Sequence, residues 1–326
     1  MSKQEPNWQN LPFHFKHDVV SYLDYKSRCH LRICSKDEKV FMDSRPATID
    51  YLKLELTEPI FNSPNKETPA EITIRDKDVS TSKNLTEDDT IEQILKIFSC
   101  AQKLEVTTFK IHVWNYNRGG RQFKFFKKFL AEVNKRNIKL NVRNLDLPTT
   151  FMDKNQYISF VKAFNVDLLE TMSLDRSTAC QLKALSETGQ WKKVKEIKFT
   201  TIYEIEADWI QHVEKLDIHA KKLNGETARA LIQNFLTKSF PRGSFMSIVT
   251  NYPLFDDILL QFPVEVKNEN ISLQSLTDNP INMHLWKPFH TQKIKMTDPN
   301  NVLLIVLCEA CFAAVVCFVN DFKNDP

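Results

Sequence analysis

Helical and strand-like segments alternate between residues 91 and 250, and this alternation limits the folds that the chain can adopt. Strand patterns begin at residues 104, 138, 168, 194 and 213, and a helical pattern or a short link precedes each of them. Among these elements, the sequence predicts helices over 121–135, 178–188 and 225–237 and a strand over 104–114. A chain in which single helices separate single strands usually builds a parallel sheet covered by helices. The sequence therefore predicts an α/β region within a chain of the α+β class.

Two architectures produce this alternation: a doubly wound sheet, and a curved solenoid of α/β repeats like a leucine-rich-repeat horseshoe. Four phrases share a polar lead followed by an apolar-x-apolar strand: KLEVTTFKIHV, LLETMSLD, KVKEIKFT and HVEKLDIH. This self-similarity favours an irregular solenoid, although the strict repeat consensus with its Asn ladder is missing. Short strand patterns follow at 264–266, 271–273 and 293–296 and predict a β-rich cap.

Residues 302–319 form an apolar run, VLLIVLCEACFAAVVCFV, broken only by Glu309. The run is rich in β-branched residues and divides at Glu309-Ala310 into two halves of strand length. We therefore expect a terminal antiparallel hairpin that is buried on both faces. A membrane anchor is the alternative, because a spanning helix needs about 20 apolar residues.

Residues 8–44 carry the pattern of three short helices. Apolar residues four positions apart mark one face of the first helix: Phe15, Val19 and Leu23. Asp24 is the expected N-cap of the second helix. Ser35 and Glu38 fit a capping box at the start of a third helix over 36–44. Helices this short bury little surface, so we expect the segment to pack against a partner or against the next part of the chain.

The segment after the third helix predicts one strand and then a loop. Residues 49–56 alternate apolar and polar side chains, as in a half-buried strand. Three prolines fall within residues 57–90, which otherwise hold only a short strand candidate at 72–74. We expect residues 57–90 to be rich in loops.

Composition excludes several classes of protein. The 326 residues contain 44 Lys and Arg against 41 Asp and Glu, and a net charge of +3 is too small to predict nucleic-acid binding. Only 5 glycines are present, and no phosphate-binding or nucleophile-elbow motif occurs. The 7 cysteines are scattered, and no signal peptide precedes them, so we expect a reducing compartment, cytoplasmic and/or nuclear.

Three candidate sites have simpler structural explanations. Cys308 and Cys311 form a CxxC without a second ligand pair, and we interpret them as buried thiols of the hairpin rather than a metal site. Residues 118–136 interleave basic and aromatic side chains, but the pattern fits an amphipathic helix. Three lysines flank Trp191 and predict a solvated edge with one buried ring. No His or Cys lies in a recognisable catalytic frame.

The order of features near the N-terminus resembles an F-box. Those features are Trp8, Leu11-Pro12, Val19, Val20, Leu23, Ser27-Arg28, Leu31, Cys34-Ser35-Lys36 and Asp43-Ser44. The phrases FKFFKKFLAEVNKRNIKLNVRNL, ALSETGQWKKVKEIKF and TDPNNVLLIVLCEA resemble an FTH region. The whole chain is thus similar to the nematode F-box proteins with an FTH domain, the F-box A family. It departs from many F-boxes at His14-Phe15-Lys16, where an acidic residue and Leu or Ile commonly follow Leu-Pro.

The resemblance implies a non-catalytic substrate-recognition subunit of an SCF-type cullin–RING ubiquitin ligase. It implies an F-box at 7–46, a strand and Pro-rich linker at 47–90, and an FTH-like α/β repeat domain at 91–322. The F-box is expected to bind a Skp-family adaptor, and through it cullin, while the α/β domain binds an unidentified target protein. The implied adaptor contacts are Leu11, Pro12, Phe15, Val19, Val20, Leu23, Leu31, Cys34 and Lys36. No catalytic residue, cofactor, metal, nucleic acid or membrane is expected.

Two other hypotheses remain open from the sequence. One is a solenoid that senses a ligand or nucleic acid and carries a vestigial F-box, with a basic and aromatic groove along residues 118–136 and 191–198. The other is a tail-anchored membrane protein that inserts residues 302–319.

Overall fold

The computed structural model describes residues 8–57, 70–99, 104–114, 121–148, 152–175, 177–202, 205–221, 223, 225–250, 290–308 and 311–319. The described residues form ten α-helices and twelve strands, and the chain divides into two compact units. Unit 1 comprises Met1–Asn117 and Lys127–Asn144, and unit 2 comprises Arg118–Phe126 and Leu145–Pro326.

Unit 1 joins three short helices to a four-stranded arrangement. Its elements are α1 (Phe13–Tyr22), α2 (Tyr25–Cys34), α3 (Lys36–Asp43), β1 (Ala47–Thr57), β2 (Ala70–Asp76), β3 (Val79–Leu85), α4 (Glu87–Ser99) and β4 (Leu104–Trp114). The strands lie in the order β3–β2–β1–β4. β1 pairs antiparallel with β2 and parallel with β4, so the helix α4 crosses over before β4 returns to the sheet. The predicted helical N-terminus and the predicted strand at 49–56 are confirmed.

The strand candidate at 72–74 is confirmed as part of β2, but the expectation that residues 57–90 are otherwise rich in loops is wrong for the rest of residues 70–85. These residues form the antiparallel hairpin β2–β3, in which Ile72 lies opposite Lys83 and Asp76 lies opposite Val79. Strand β3 has the sequence VSTSKNL and lies at the end of the strand order, where most of its side chains face solvent. A solvated edge strand needs few apolar residues, so it leaves a weak hydrophobic pattern in the sequence.

Two elements contribute to both units: α5 (Arg121–Lys135) and β5 (Val142–Pro148). Unit 2 continues with α6 (Lys154–Lys162), β6 (Thr171–Asp175), α7 (Ala179–Ser186), α8 (Gly189–Lys193), β7 (Glu196–Ile202), α9 (Ala207–Ile210), β8 (Lys215–Ala220), α10 (Gly225–Thr237), β9 (Phe245–Thr250), β10 (His290–Lys295), β11 (Asn301–Cys308) and β12 (Cys311–Phe318).

Strands β6, β7, β8 and β9 are parallel neighbours in chain order. Helix α6 contacts α7 and α8, α7 contacts α9, and α9 contacts α10. Alternate residues are buried in β6, at Met172 and Leu174, and in β8, at Leu216 and Ile218, whereas β9 is buried at five of its six positions. The predicted helix–strand alternation is therefore confirmed, and the fold is mixed α/β.

Strands β11 and β12 form the predicted hairpin. Leu304 lies opposite Val315, and β12 continues antiparallel to β9. All side chains at 302–307 and 312–317 are buried, so both faces of the hairpin are covered. The predicted strand at 293–296 corresponds to β10. The patterns at 264–266 and 271–273 lie outside the described residues.

Candidate functional site

The three N-terminal helices begin at side-chain caps or at a proline, as the sequence predicted for α2 and α3. Asp24 Oδ1 accepts a hydrogen bond from Ser27 N at 2.7 Å at the start of α2, and Ser35 Oγ accepts one from Glu38 N at 3.1 Å at the start of α3. The bond from Ser27 lowers the pKa of Asp24 because it favours the carboxylate. Pro12 precedes α1, where its missing N–H costs nothing.

The predicted capping box of α3 forms only in part. The Ser35 half is present, but the Glu38 side chain is buried and its Oε1 lies 3.8 Å from Lys16 Nζ. Lys16 Nζ also lies over the Trp8 ring, 5.6 Å from its centroid. Lys16, one of the residues that depart from the common F-box pattern, therefore links α1 to α3.

Further contacts hold α3 to the two helices before it. Arg32 on α2 makes a two-pronged ion pair with Asp43 on α3, with Nε–Oδ1 at 2.5 Å and Nη2–Oδ2 at 3.0 Å. The rings of Phe13 and Phe41 meet edge to face at 5.3 Å, and the Arg45 guanidinium lies over both. A two-pronged pair of this kind fixes the relative orientation of the two helices that it joins. Because α3 contacts both α1 and α2, the three helices form one module.

The nine predicted adaptor contacts fall into three groups by exposure. Five are exposed on the module: Pro12, Phe15, Val19, Cys34 and Lys36. Three are half-buried: Leu11, Leu23 and Leu31. Val20 is only 2% exposed, so it packs inside unit 1 and is not accessible to a partner. On α1 the exposed face holds Phe15 at 53% and Val19 at 41% exposure, four residues apart.

Four large apolar side chains outside the predicted adaptor contacts are also exposed on the module. They are Phe13, Tyr22, Ile33 and Val40, with exposed fractions of 62%, 81%, 81% and 70%. Large apolar side chains exposed on a small module are the candidates for contact with a partner. The sequence could have indicated them as apolar residues that do not belong to the Phe15, Val19 and Leu23 face of the first helix. We call Pro12, Phe13, Phe15, Val19, Tyr22, Ile33 and Val40 the apolar patch.

The nucleic-acid hypothesis requires accessible aromatic rings along residues 118–136 and 191–198. The rings that the structure describes there are buried. Phe125, Phe126, Phe129 and Trp191 are each at most 2% exposed. A buried ring cannot stack on a base. Lys128 of α5 pairs with Asp88 of α4, and Arg136, one residue beyond the end of α5, pairs with Glu92 of α4 at 2.6 Å.

Metal-binding clusters and membrane-spanning helices are both absent from the described residues. No group of His, Cys, Asp and Glu that could hold a metal ion occurs among them. Cys308 and Cys311 lie opposite each other in the hairpin register. No helix in the described part of the chain is long and apolar enough to cross a membrane.

Two family models match the chain. The F-box domain model matches residues 8–48, and the FTH domain model matches residues 123–256. No curated protein and no solved structure matches the chain significantly. The F-box match covers the three-helix module and its apolar patch, and the FTH match covers α6 to α10 with β5 to β9. The chain therefore combines an N-terminal F-box domain with an FTH domain.

Proposed function

We propose that this protein is the substrate-recognition subunit of an SCF-type ubiquitin ligase. The observation that carries the proposal is an F-box domain whose three helices expose large apolar side chains. An apolar helix face that lies in a groove of a partner is a common mode of recognition, and a few anchors carry most of the affinity. The partner is a Skp-family adaptor, which connects the protein to cullin.

The structure refines the set of residues proposed to contact the adaptor. Pro12, Phe15, Val19, Cys34 and Lys36 are accessible as they stand. Leu11, Leu23 and Leu31 contribute their exposed parts. Val20 supports the module from within and makes no direct contact. Phe13, Tyr22, Ile33 and Val40 join the proposed surface because they are exposed on the same module.

The FTH region is proposed to bind the target protein, so that ubiquitin is delivered by proximity. In this role the chain is a non-catalytic subunit. We propose that it acts in the cytoplasm and/or the nucleus. We also propose that this region is solenoid-like and that the chain is a member of the nematode F-box A family. The chain-order succession of β6 to β9 and the row of contacting helices support the first of these two proposals. The joint F-box and FTH matches support the second.

A pull-down with a purified Skp-family adaptor tests the proposal. We expect the wild-type chain to bind, and the double variant Phe15→Ala/Val19→Ala to lose at least about tenfold in affinity, because two exposed anchors are removed. Both residues are exposed, so the variant should fold. Val319→Ala is the matched control, since it shortens a 44% exposed valine of unit 2. A wild-type chain that fails to bind would exclude the ligase role.

A further inference from the structure

The tip of the β2–β3 hairpin contacts the corner between α1 and α2. Lys77 Nζ donates hydrogen bonds to the carbonyl oxygens of Ser21 and Leu23, at 3.1 and 3.2 Å. The backbone N–H of Tyr25, the first residue of α2, donates to the Asp76 carboxylate. Two adjacent residues of one turn therefore bind the end of one helix and the start of the next.

The signs of the two charges suit the helix ends that they contact. The last carbonyl groups of a helix carry partial negative charge, and the first N–H groups carry partial positive charge. The Lys77 ammonium lies at the C-terminal end of α1, and the Asp76 carboxylate lies at the N-terminal end of α2. Each contact thus satisfies a backbone group that the helix itself leaves unpaired.

Arg28 reinforces the same corner from the side of α2. Its Nε donates to Leu23 O at 3.2 Å, and its Nη1 donates to Pro46 O at 3.0 Å. Burial raises the pKa of Asp76 and lowers the pKa of Arg28, while their opposite charges attract. The corner is therefore a partly desolvated contact in which charge and hydrogen bonds cooperate.

The backbone at Lys77 is unusual for a lysine. Its φ is +54°, a left-handed conformation that glycine adopts without cost and that other residues adopt rarely. Lys77 N also donates to Asp50 Oδ2 at 2.7 Å, which ties the hairpin tip to β1. A lysine at a position that favours glycine indicates that the side chain has a use there.

We propose that Asp76 and Lys77 are positioning residues that lock the α1–α2 corner of the F-box onto the sheet of unit 1. The lock holds the apolar patch in one orientation relative to β1–β4, so an adaptor bound there has a fixed direction relative to that sheet. The claim that this fixed direction matters for ubiquitin transfer rests on the proposed function. The claim that Asp76 and Lys77 fix the corner does not.

Amide hydrogen exchange on the full chain tests the lock directly. We expect Lys77→Gly and Asp76→Ala each to speed exchange at residues 21–28 by about tenfold, because each removes a hydrogen-bonded contact with the helix ends. Lys77→Gly also relieves the left-handed strain, so its thermal midpoint should change little. The conservative variant Lys77→Arg keeps a cationic donor, so its amides at residues 21–28 should exchange as slowly as those of the wild type. Lys83→Ala, on an exposed site of the same hairpin, is the control and should leave exchange unchanged.

A reconstituted ligase tests what the lock is for. The reaction contains the adaptor, cullin, the RING subunit and a conjugating enzyme loaded with ubiquitin. In the wild type, ubiquitin should be attached to few of the lysines of unit 1. In Lys77→Gly, it should be attached to more of them. Adaptor affinity should stay the same, as a positioning role requires. Unchanged exchange in both variants would overturn the lock, and a parallel loss of adaptor affinity would show that these residues maintain the fold instead. If the wild type binds no adaptor, the proposed function fails, and the exchange data alone decide on the lock.

Discussion

At the scale of single residues, Trp191 organises the interior of unit 2 through hydrogen bonds to the backbone. Its ring is 1% exposed, and its Nε1–H donates to Trp209 O at 2.5 Å. His212 Nε2–H donates to Trp191 O at 2.7 Å. Lys192 and Lys193 remain exposed, which confirms the predicted solvated edge with one buried ring. Buried polar atoms that find partners in this way avoid the cost of desolvation.

His212 should make the stability of unit 2 depend on pH. Burial lowers the pKa of His212 below its ordinary value of 6.5, and the positive charge of Lys238 acts in the same direction. The unfolded chain therefore binds a proton more readily than the folded chain. The free energy of unfolding should fall as pH is lowered through the ordinary His pKa, from about pH 7.5 to about pH 5.5. Urea unfolding followed by tryptophan fluorescence measures this.

Two variants separate the contribution of His212 from other titrating groups. His212→Gln keeps a hydrogen-bond donor and cannot titrate, so its stability should vary less over this pH range. Lys238→Met removes a neighbouring positive charge, which should raise the pKa of His212 and weaken the dependence in part. A slope in His212→Gln equal to that of the wild type would refute the assignment.

At the scale of elements, side-chain caps define where the short helices begin. Asp153 Oδ1 accepts from Gln156 N at 2.8 Å before α6, and Thr178 with Gln181 forms a complete capping box before α7. The sequence predicted one helix over 178–188. The structure has α7 in that segment, and Thr188 accepts from Trp191 N to start a separate short helix, α8. Helices of this length are unstable alone, so caps and tertiary packing together decide their ends.

The Ser35 cap should contribute measurably to the stability of the F-box. Ser35→Ala leaves Glu38 N without its acceptor, and we expect a loss of about 1 kcal/mol in the free energy of unfolding. Ser35→Asp supplies a new acceptor and a favourable charge at the start of α3, so it should retain the stability. Chemical denaturation of both variants is the measurement. Equal destabilisation by the two substitutions would show that the cap is not the cause.

At the scale of the whole molecule, the apolar run at 302–319 is part of the folded core. Leu303, Leu304, Val306 and Leu307 are 0% exposed, and β12 extends the antiparallel pairing to β9. A strand that is buried on both faces needs apolar residues at consecutive positions rather than at alternate ones. The length and apolarity that suggested a membrane anchor are thus explained by burial inside unit 2.

Shortening a buried side chain of the hairpin should cost far more than shortening an exposed one. We expect Leu304→Ala to lower the free energy of unfolding of unit 2 by about 2–5 kcal/mol, because it leaves a cavity in a packed region. Val319→Ala, at the exposed end of the hairpin, should change it by less than about 0.5 kcal/mol. Urea denaturation compares the two. Similar small effects at both positions would place the hairpin outside the core.

Local patterns predicted several elements to the residue. The helices Arg121–Lys135 and Gly225–Thr237 and the strand Leu104–Trp114 have the predicted bounds, since each has a strong periodic pattern and clear breaks at its ends. Strand β3 was not predicted because a solvated edge strand has few apolar residues and so no clear hydrophobic alternation. Val20 and Phe15 were predicted to share one role, yet the first is buried and the second exposed. Residues on one helix differ in this way according to what packs beside them.

Local periodicity and capping are enough to predict the helical N-terminus, the helix–strand alternation and the buried terminal hairpin. Packing between distant segments determines which apolar residues of the F-box face solvent. It also pairs Glu38 with Lys16, so that the capping box stays open, and brings Asp76 and Lys77 to the α1–α2 corner. Asp76 and Lys77 lie more than fifty residues from the helix ends that they bind. No local pattern records a contact of that separation, since the folding of the intervening strands creates it.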